Sequence, residues 1–332
     1  MSWQRVRGHE ALVGSFAEIV QRDRLGHAYL FVGPAGIGKK LFAMELAKSL
    51  LCERAGDKFE ACDQCPSCVQ VDAGSHPDVI FAARPEDKND FPIELMREEF
   101  IPKLYFKSAR GGYKIAILDD ADDLNDASAN CFLKTLEEPP PRSVLILLAT
   151  DPERQLATIV SRCQVIRFAP LHPDLIAGIL GEQGMEPAKA DRLARLSGGS
   201  LGQASELADD ALWDFRRELA SQLARPQVDA VGLGRKWMAF VEEAGKESGH
   251  QRRRAALTIK LATDLLSTAL RTSTGAEGQI EAEDRAAVSA LVNRLGTDRL
   301  LALVDRCLEA SRQIDRRVQL VLIVEALADA FA

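Results

Sequence analysis

Short apolar runs alternate with helical patterns through the first half of the chain. The runs are Ala28-Tyr29-Leu30-Phe31-Val32, Val79-Ile80-Phe81-Ala82, Ile115-Ala116-Ile117-Leu118, Val144-Leu145-Ile146-Leu147-Leu148 and Val165-Ile166-Arg167-Phe168. Runs this short and nearly continuous in apolar character fit strands of a parallel sheet covered by helices on both faces. Between them Phe42, Leu46 and Leu50 recur four residues apart, and Leu133 and Leu136 stand beside polar Lys134 and Glu137. These spacings predict amphipathic crossover helices over 41–51 and 127–136. Residues 1–169 therefore read as an open α/β sheet with ligand loops at the carboxyl ends of its strands.

After Pro170 the strand signal stops. Helical patterns over 173–180 and 187–196, and a further short helix to about 208, predict a small helical lid over 170–210. From 211 to 332 the pattern is helical, broken by Ser248-Gly249-His250-Gln251 and by Thr272 to Gly278. The last two helices are expected to carry Leu300, Leu303, Val304 and Cys307, then Val318, Leu322, Glu325 and Ala326.

Composition narrows the class. A chain of 332 residues with 46% hydrophobic residues has enough apolar material for about two or three domains. Its net charge of −7 argues against a dedicated nucleic-acid binder. No apolar run approaches the ~18 residues of a spanning helix, and no signal-peptide core follows the N-terminus, so a cytoplasmic protein with no membrane partner is expected. In that compartment cysteines stay reduced, which turns attention to the grouping of four of the seven, Cys52, Cys62, Cys65 and Cys68. Two-residue spacings let sulfurs from one tight turn meet on one tetrahedral ion, and four thiolates close its shell, so a structural Zn²⁺ is expected. A redox pair is the competing reading. Cys131 and Cys307 read as plain core.

Gly33-Pro34-Ala35-Gly36-Ile37-Gly38-Lys39-Lys40 follows the first run and opens a helix, the setting of a phosphate-binding loop. Gly33, Gly36 and Gly38 let backbone N–H groups turn inward, the helix N-terminus adds partial positive charge, and Lys39 would reach the outer phosphates. Lys40 occupies the place of the Ser or Thr whose hydroxyl ligates Mg²⁺. A second ammonium repels that cation, so ATP with Mg²⁺ is a doubtful ligand, and a folded turn without turnover is the alternative. Ile115-Ala116-Ile117-Leu118-Asp119-Asp120 is an apolar strand ending in two acids, of which Asp119 would hold the metal and Asp120 polarise water. The same pair would serve equally as a helix cap. Thr150 ends the fourth run and is placed to sense a γ-phosphate. Arg162, in Ser161-Arg162-Cys163 before the fifth run, suits a finger offered to a neighbour's nucleotide, although an Arg of this kind is commonly a solvated surface residue.

The phosphate loop, the four-Cys insertion, Leu133-Lys134-Thr135-Leu136-Glu137-Glu138-Pro139-Pro140, the strand ending at Thr150 and Ser161-Arg162-Cys163 occur in this order in bacterial clamp-loader subunits of the AAA+ class. The chain resembles that family over about residues 3–210, and Trp3, Gly8, His9 and Glu10 resemble the segment that helps form its adenine pocket. The C-terminal helices fit its oligomerisation collar by pattern. The resemblance implies an AAA+ P-loop domain over 1–169 with a zinc-binding insertion at 52–68, the lid over 170–210, and an all-α collar over 211–332. It further implies a part in DNA replication as a subunit of the DNA polymerase III clamp loader. The partners would be other loader subunits (gamma/tau and delta), the sliding clamp and, through the complex, primer-template DNA.

Within the family, the ATP-hydrolysing gamma/tau motor and a stator-like subunit that typically lacks ATPase share this layout. Three departures favour the stator. Lys40 replaces the metal-binding hydroxyl, Asp120 replaces Glu, and Gly202 in Ser200-Leu201-Gly202-Gln203-Ala204 stands where the motor carries a lid Arg. Arg162 is retained beside an impaired site, which makes sense if it serves an adjacent subunit in trans. A motor-type ATPase with an unusual loop is the alternative.

Overall fold

The computed structural model describes residues 2–55, 59–85, 88, 90–276, 280–281 and 283–332. The five expected strands form: β1 (Ala28–Val32), β2 (Val79–Ala82), β3 (Lys114–Leu118), β4 (Ser143–Ala149) and β5 (Gln164–Arg167). They make one parallel sheet in the order β2-β3-β4-β1-β5. The runs of β1, β3 and β4 are buried at every position, because both faces are covered, whereas the edge strand β5 has no fully buried residue.

One face is aliphatic. Leu30, Val32, Ala116, Leu118, Leu145 and Leu147 pack with Phe100, Leu104, Phe132 and Leu136, from α4 (Ile101–Tyr105), the turn before it, and α5 (Asp126–Glu137). The other face is aromatic. Phe16 of α1 (Glu10–Gln21), Tyr29 and Phe31 of β1, Phe42 of α2 (Lys39–Leu51) and Phe168 have ring centroids about 5–6 Å apart in tilted and edge-to-face arrangements. The expected crossover helices are thus α2 and α5. The sequence pattern missed α1, α3 (Pro66–Asp72) and the helical stretch from Leu95 through α4. The short α3 follows cap chemistry rather than periodicity, with Pro66 opening the first turn and Cys65 Sγ accepting from Cys68 N at 3.4 Å.

A short helix, α6 (Ala157–Val160), leads into β5, and α7 (Pro173–Glu182), α8 (Pro187–Leu196) and α9 (Leu201–Glu206) follow the sheet. Compact packing divides the chain into two units, residues 1–206 and 207–332, so these three helices belong with the sheet.

The second unit holds α10 (Asp210–Leu223), α11 (Ala230–Glu242), α12 (Ser248–Ser273), α13 (Arg285–Asp315) and α14 (Leu320–Phe331). Ser248 to Gln251 form the first turn of α12, not a break; the break precedes them, since Glu247 is the extended N-cap residue. Of the second expected break, Thr272 and Ser273 close α12, and Glu277 and Gly278 lie outside the described residues. In α14 the buried face is Ile323, Val324, Leu327, Ala328 and Phe331, while Leu322 and Glu325 within the helix and Val318 just before it are exposed. The apolar spacing legible in sequence is therefore the outward one. Gly296 interrupts α13 with φ 69° and ψ 172°. Inside the unit Arg216 is buried against Asp264 and Asp284, and Trp237 Nε1 donates to Thr258 Oγ1 at 2.8 Å.

Candidate functional site

The loop between β1 and α2, Asp119 after β3 and Thr150 after β4 meet at the carboxyl edge of the sheet, where open α/β folds place their ligands. The loop backbone is fixed by its carbonyls. Lys39 Nζ donates to Gly33 O at 2.5 Å and Pro34 O at 2.9 Å. Ser200 Oγ donates to Ala35 O at 2.7 Å, Gly202 N to Gly36 O at 3.0 Å, and His9 Nε2 to Ile37 O at 3.1 Å. Five consecutive carbonyls thus point outward to protein donors. The N–H groups of Gly36, Ile37 and Gly38 have no acceptor among the described residues. A concave row of N–H groups at a helix N-terminus is an anion receptor. Burial lowers the Lys39 pKa, and Asp122, Asp119 and Asp120 oppose that shift.

Gly202 has a role that the sequence comparison with a lid Arg concealed. A Cβ at Gly202 would lie 2.8 Å from Gly36 Cα and 3.1 Å from Gly36 O, and a Cβ at Gly36 would lie 2.8 Å from Ser200 Oγ. The start of α9 therefore packs backbone to backbone on the loop. Position 202 holds the loop, and no side chain there reaches toward a phosphate.

Lys40 turns away from the loop. Its Nζ is 3.4 Å from Asp119 Oδ2 and lies over the Phe81 ring, 4.0 Å from the centroid. The carboxylate expected to hold a metal is paired with an ammonium. Asp120 adopts left-handed backbone with φ 53°, and its N donates to Asp119 Oδ1 at 3.1 Å. Desolvation, Asp119 and Asp123 push its carboxyl pKa up, countered by Arg84 and Lys40. Thr150 is engaged locally: its N donates to Asp122 Oδ2 at 2.6 Å and its Oγ1 accepts from Arg154 at 3.4 Å. Asp122, which also accepts from Gln155 Nε2 at 3.2 Å, ties the ends of β3 and β4 together and was not foreseen.

Beside the loop is a cavity of about 570 Å³ whose apolar lining includes Val6, Ile37, Leu41, Leu171, Ile179 and Leu201. Its N-terminal wall is anchored twice. Arg7 forms a two-point ion pair with Glu182 of α7 at 2.9 and 2.6 Å, and Arg5 Nη1 contacts Glu45 at 3.1 Å and Asp72 at 3.2 Å.

Arg162 is elsewhere. Gln164 of β5 pairs with Tyr29 of β1 and Arg167 with Val32, so Arg162 sits by the amino ends of the strands. At ~3.3 Å per residue the strands separate it from its own phosphate loop by ~15 Å or more. Its Nε donates to Glu137 Oε1 at 2.8 Å and its Nη1 to Thr158 O at 2.9 Å, and Nη2 also contacts Glu137. Glu137 is the partner that sequence reasoning missed, although it lies within the Leu133 to Pro140 segment.

Cys52, Cys62, Cys65 and Cys68 converge, with all four Sγ atoms within 4.8 Å of one another. Cys65 Sγ is 3.4 Å from Cys68 Sγ and 4.0 Å from Cys52 Sγ, close to the ~3.8 Å edge of a tetrahedron with Zn–S bonds of ~2.3 Å. Backbone N–H groups of Cys62 and Cys65 donate to the sulfurs of Cys52 and Cys62 at 3.3 Å, which favours thiolates. The Cys62 thiol is lowered to about 6, chiefly by backbone N–H groups of Gln64 and Cys65, against some burial; burial pushes Cys52 and Cys68 up. The donor set fits a tetrahedral metal.

The cluster is joined to α2. Lys48, almost fully buried, contacts Glu45 at 3.0 Å, Asp63 at 2.8 Å and Asp72 at 3.2 Å. Burial opposes the Lys48 charge, but three carboxylates outweigh it and hold its pKa above the ordinary range. Trp3 Nε1 donates to Phe59 O at 2.9 Å and the Trp3 ring touches Phe59 and Phe42. One helix thus has the phosphate loop at its start and the cysteine cluster at its end.

Comparison with known proteins gives a consistent picture. The family model described as DNA polymerase III, delta subunit, matches residues 8–172. The chain is 33% identical to DNA polymerase III subunit delta' of Bacillus subtilis, over 75% of this chain and 74% of that protein. It is 32% identical to the delta' subunit of Escherichia coli, over 89% of this chain and 84% of that protein. It is also 34% identical to the tau subunit of Escherichia coli, over 65% of this chain but only 34% of tau.

Two outcomes follow from this geometry. Gly202→Ala should destabilise the chain by ~1–3 kcal/mol, because its Cβ overpacks against rigid backbone, read as a lower midpoint in denaturant unfolding. An unchanged midpoint would show that the lid does not clamp the loop. Protein purified without chelator should carry one zinc per chain by elemental analysis, and Cys65→Ser should lose it while near-native circular dichroism persists. Metal-free protein with four freely titrating thiols would rule the metal out.

Proposed function

Because the chain belongs to the DNA polymerase III delta' family, we propose that it is a clamp-loader subunit that does not hydrolyse ATP itself and offers Arg162 to a neighbour's nucleotide. The observation that carries this reading is the pairing of Asp119 with Lys40 at 3.4 Å. Hydrolysis in phosphate-loop enzymes needs a metal bridging the phosphates and held by the loop hydroxyl and the strand-end acid. Here the hydroxyl is replaced by an ammonium and the acid is its partner. Asp120 is one methylene shorter than the usual Glu and sits on left-handed backbone, and position 202 is committed to backbone packing.

Arg162 is too far from its own loop to act there. Its permanently charged guanidinium suits a γ-phosphate held by an adjacent subunit, with Glu137 aiming it. In this reading the partners are gamma/tau and delta subunits, the sliding clamp and primed DNA reached through the complex. The four cysteines hold a structural zinc, 170–210 is the lid, and the helices of 211–332 form the collar. Among the described residues no helix is long and apolar enough to cross a membrane.

The test uses the isolated chain and the reconstituted loader. The isolated chain should hydrolyse Mg²⁺-ATP at background rate; motor-like turnover would favour the gamma/tau reading instead. Arg162→Ala should leave assembly by size exclusion intact and lower the DNA- and clamp-stimulated ATPase of the loader at least severalfold. The loss should be smaller than the ~10³–10⁵ of a lone GTPase finger, because a loader has several sites. Equal rates in intact complexes would make Arg162 an ordinary surface residue.

A further inference from the structure

The Mg²⁺ that a phosphate loop implies does not fit this site. Mg²⁺ requires a near-octahedral shell of oxygens at ~2.1 Å. The loop-side ligand is missing at Lys40, and the carboxylate that would face it, Asp119, has the Lys40 ammonium 3.4 Å away. A dication reaching Asp119 would meet that ammonium at close range. Yet the rest of the receptor is built. Five loop carbonyls are held outward, the inner N–H groups are left without acceptors among the described residues, Lys39 is seated on the loop, and the 570 Å³ cavity opens beside Gly36 and Gly38. Its lining mixes the apolar side chains with Gln4, Arg5, Arg7, His9, Gln183 and Ser205, and a volume of that size suits a small planar ligand.

We infer that this loop binds a nucleoside diphosphate without any divalent cation, with Lys40 as the built-in counter-ion in the metal's place. The inference deepens the reading of a non-hydrolysing subunit and rests on it. The diphosphate lies on the loop N–H groups and the positive end of α2, Lys39 and Lys40 neutralise it from two sides, and the nucleoside fills the cavity. Lys40 can do this because its side chain is 56% exposed and lies in the first turn after the loop, so that its ammonium can exchange Asp119 and the Phe81 face for the phosphates. Once it leaves Asp119 for the phosphates, that ammonium supplies positive charge whatever the metal concentration. Bound nucleotide then acts as a structural filler between loop and lid.

The experiment is an equilibrium titration of the full chain with fluorescent mant-ADP, in EDTA and again with excess Mg²⁺. The wild-type Kd should agree between the two conditions within about twofold, because no charge-assisted contact in the site is lost with the metal. Lys40→Thr should weaken binding in EDTA by about tenfold or more, the loss of one charged contact, and Mg²⁺ should recover part of it. Lys40 is exposed enough that the variant should fold, checked by circular dichroism. Three outcomes overturn the inference: no saturable binding in either buffer, wild-type binding that appears only with Mg²⁺, or a Lys40→Thr variant with unchanged affinity. ATP turnover is scored on the same preparation. Hydrolysis would defeat the non-hydrolysing reading, whereas absent or metal-dependent binding without hydrolysis defeats only this inference.

Discussion

The outward fixing of the loop carbonyls is the constraint on which the site depends. A glycine-rich loop has many conformations, and its N–H groups converge only if its carbonyls have somewhere else to go. Here each has a donor, and the donors come from four residues in three places: the lysine of the loop itself, His9 near the N-terminus, and Ser200 and Gly202 at the start of the lid helix. The glycine at 202 is needed because backbone must approach backbone, and a Cβ there would collide with Gly36. Lid and loop are consequently one packed object. A lid arginine and this contact compete for one position.

The helix that starts in the loop carries this order to its other end. Lys48 and Glu45 are buried one turn apart, and neither charge is tolerable alone. Asp63 and Asp72 from the cysteine segment, and Arg5 from the N-terminal segment, complete the set. The buried charges therefore require the insertion and the N-terminus to be in place. Burial pushes the Glu45 carboxyl up while Lys48 and Arg5 pull it back. The thiol cluster sits on the same segment, so a metal held there would stiffen the wall of the cavity through Trp3 and Arg5.

Strand polarity separates the two halves of the reading. All five strands are parallel, so everything that follows a strand lies at one end and everything that precedes one lies at the other. The loop, Asp119 and Thr150 follow strands; Arg162 precedes one. A residue pair at opposite ends of one sheet meets only between copies or subunits. That is the physical basis of the proposal made for Arg162, whose half-buried guanidinium is oriented by its ion pair with Glu137.

By itself the sequence determined what depends on short-range pattern. Apolar runs placed all five strands to within about a residue, since a doubly covered parallel strand has no other composition. The cysteine spacing foretold a convergence that the fold delivers, and the sequence alone shows Lys40 where a metal-binding hydroxyl is expected. Helices whose burial is set by distant partners were not legible: α1 buries only Phe16, α3 depends on a cap, and α14 buries Ile323, Val324, Leu327, Ala328 and Phe331, none of which the sequence pattern singled out. Tertiary structure alone decided that Gly202 is a packing residue, that Asp119 belongs to Lys40, that Glu137 holds Arg162, and that Asp122 ties Thr150 to the end of β3. Each of these is a contact across more than twenty residues of chain, and such contacts are fixed by the packing of whole elements, which no local spacing encodes.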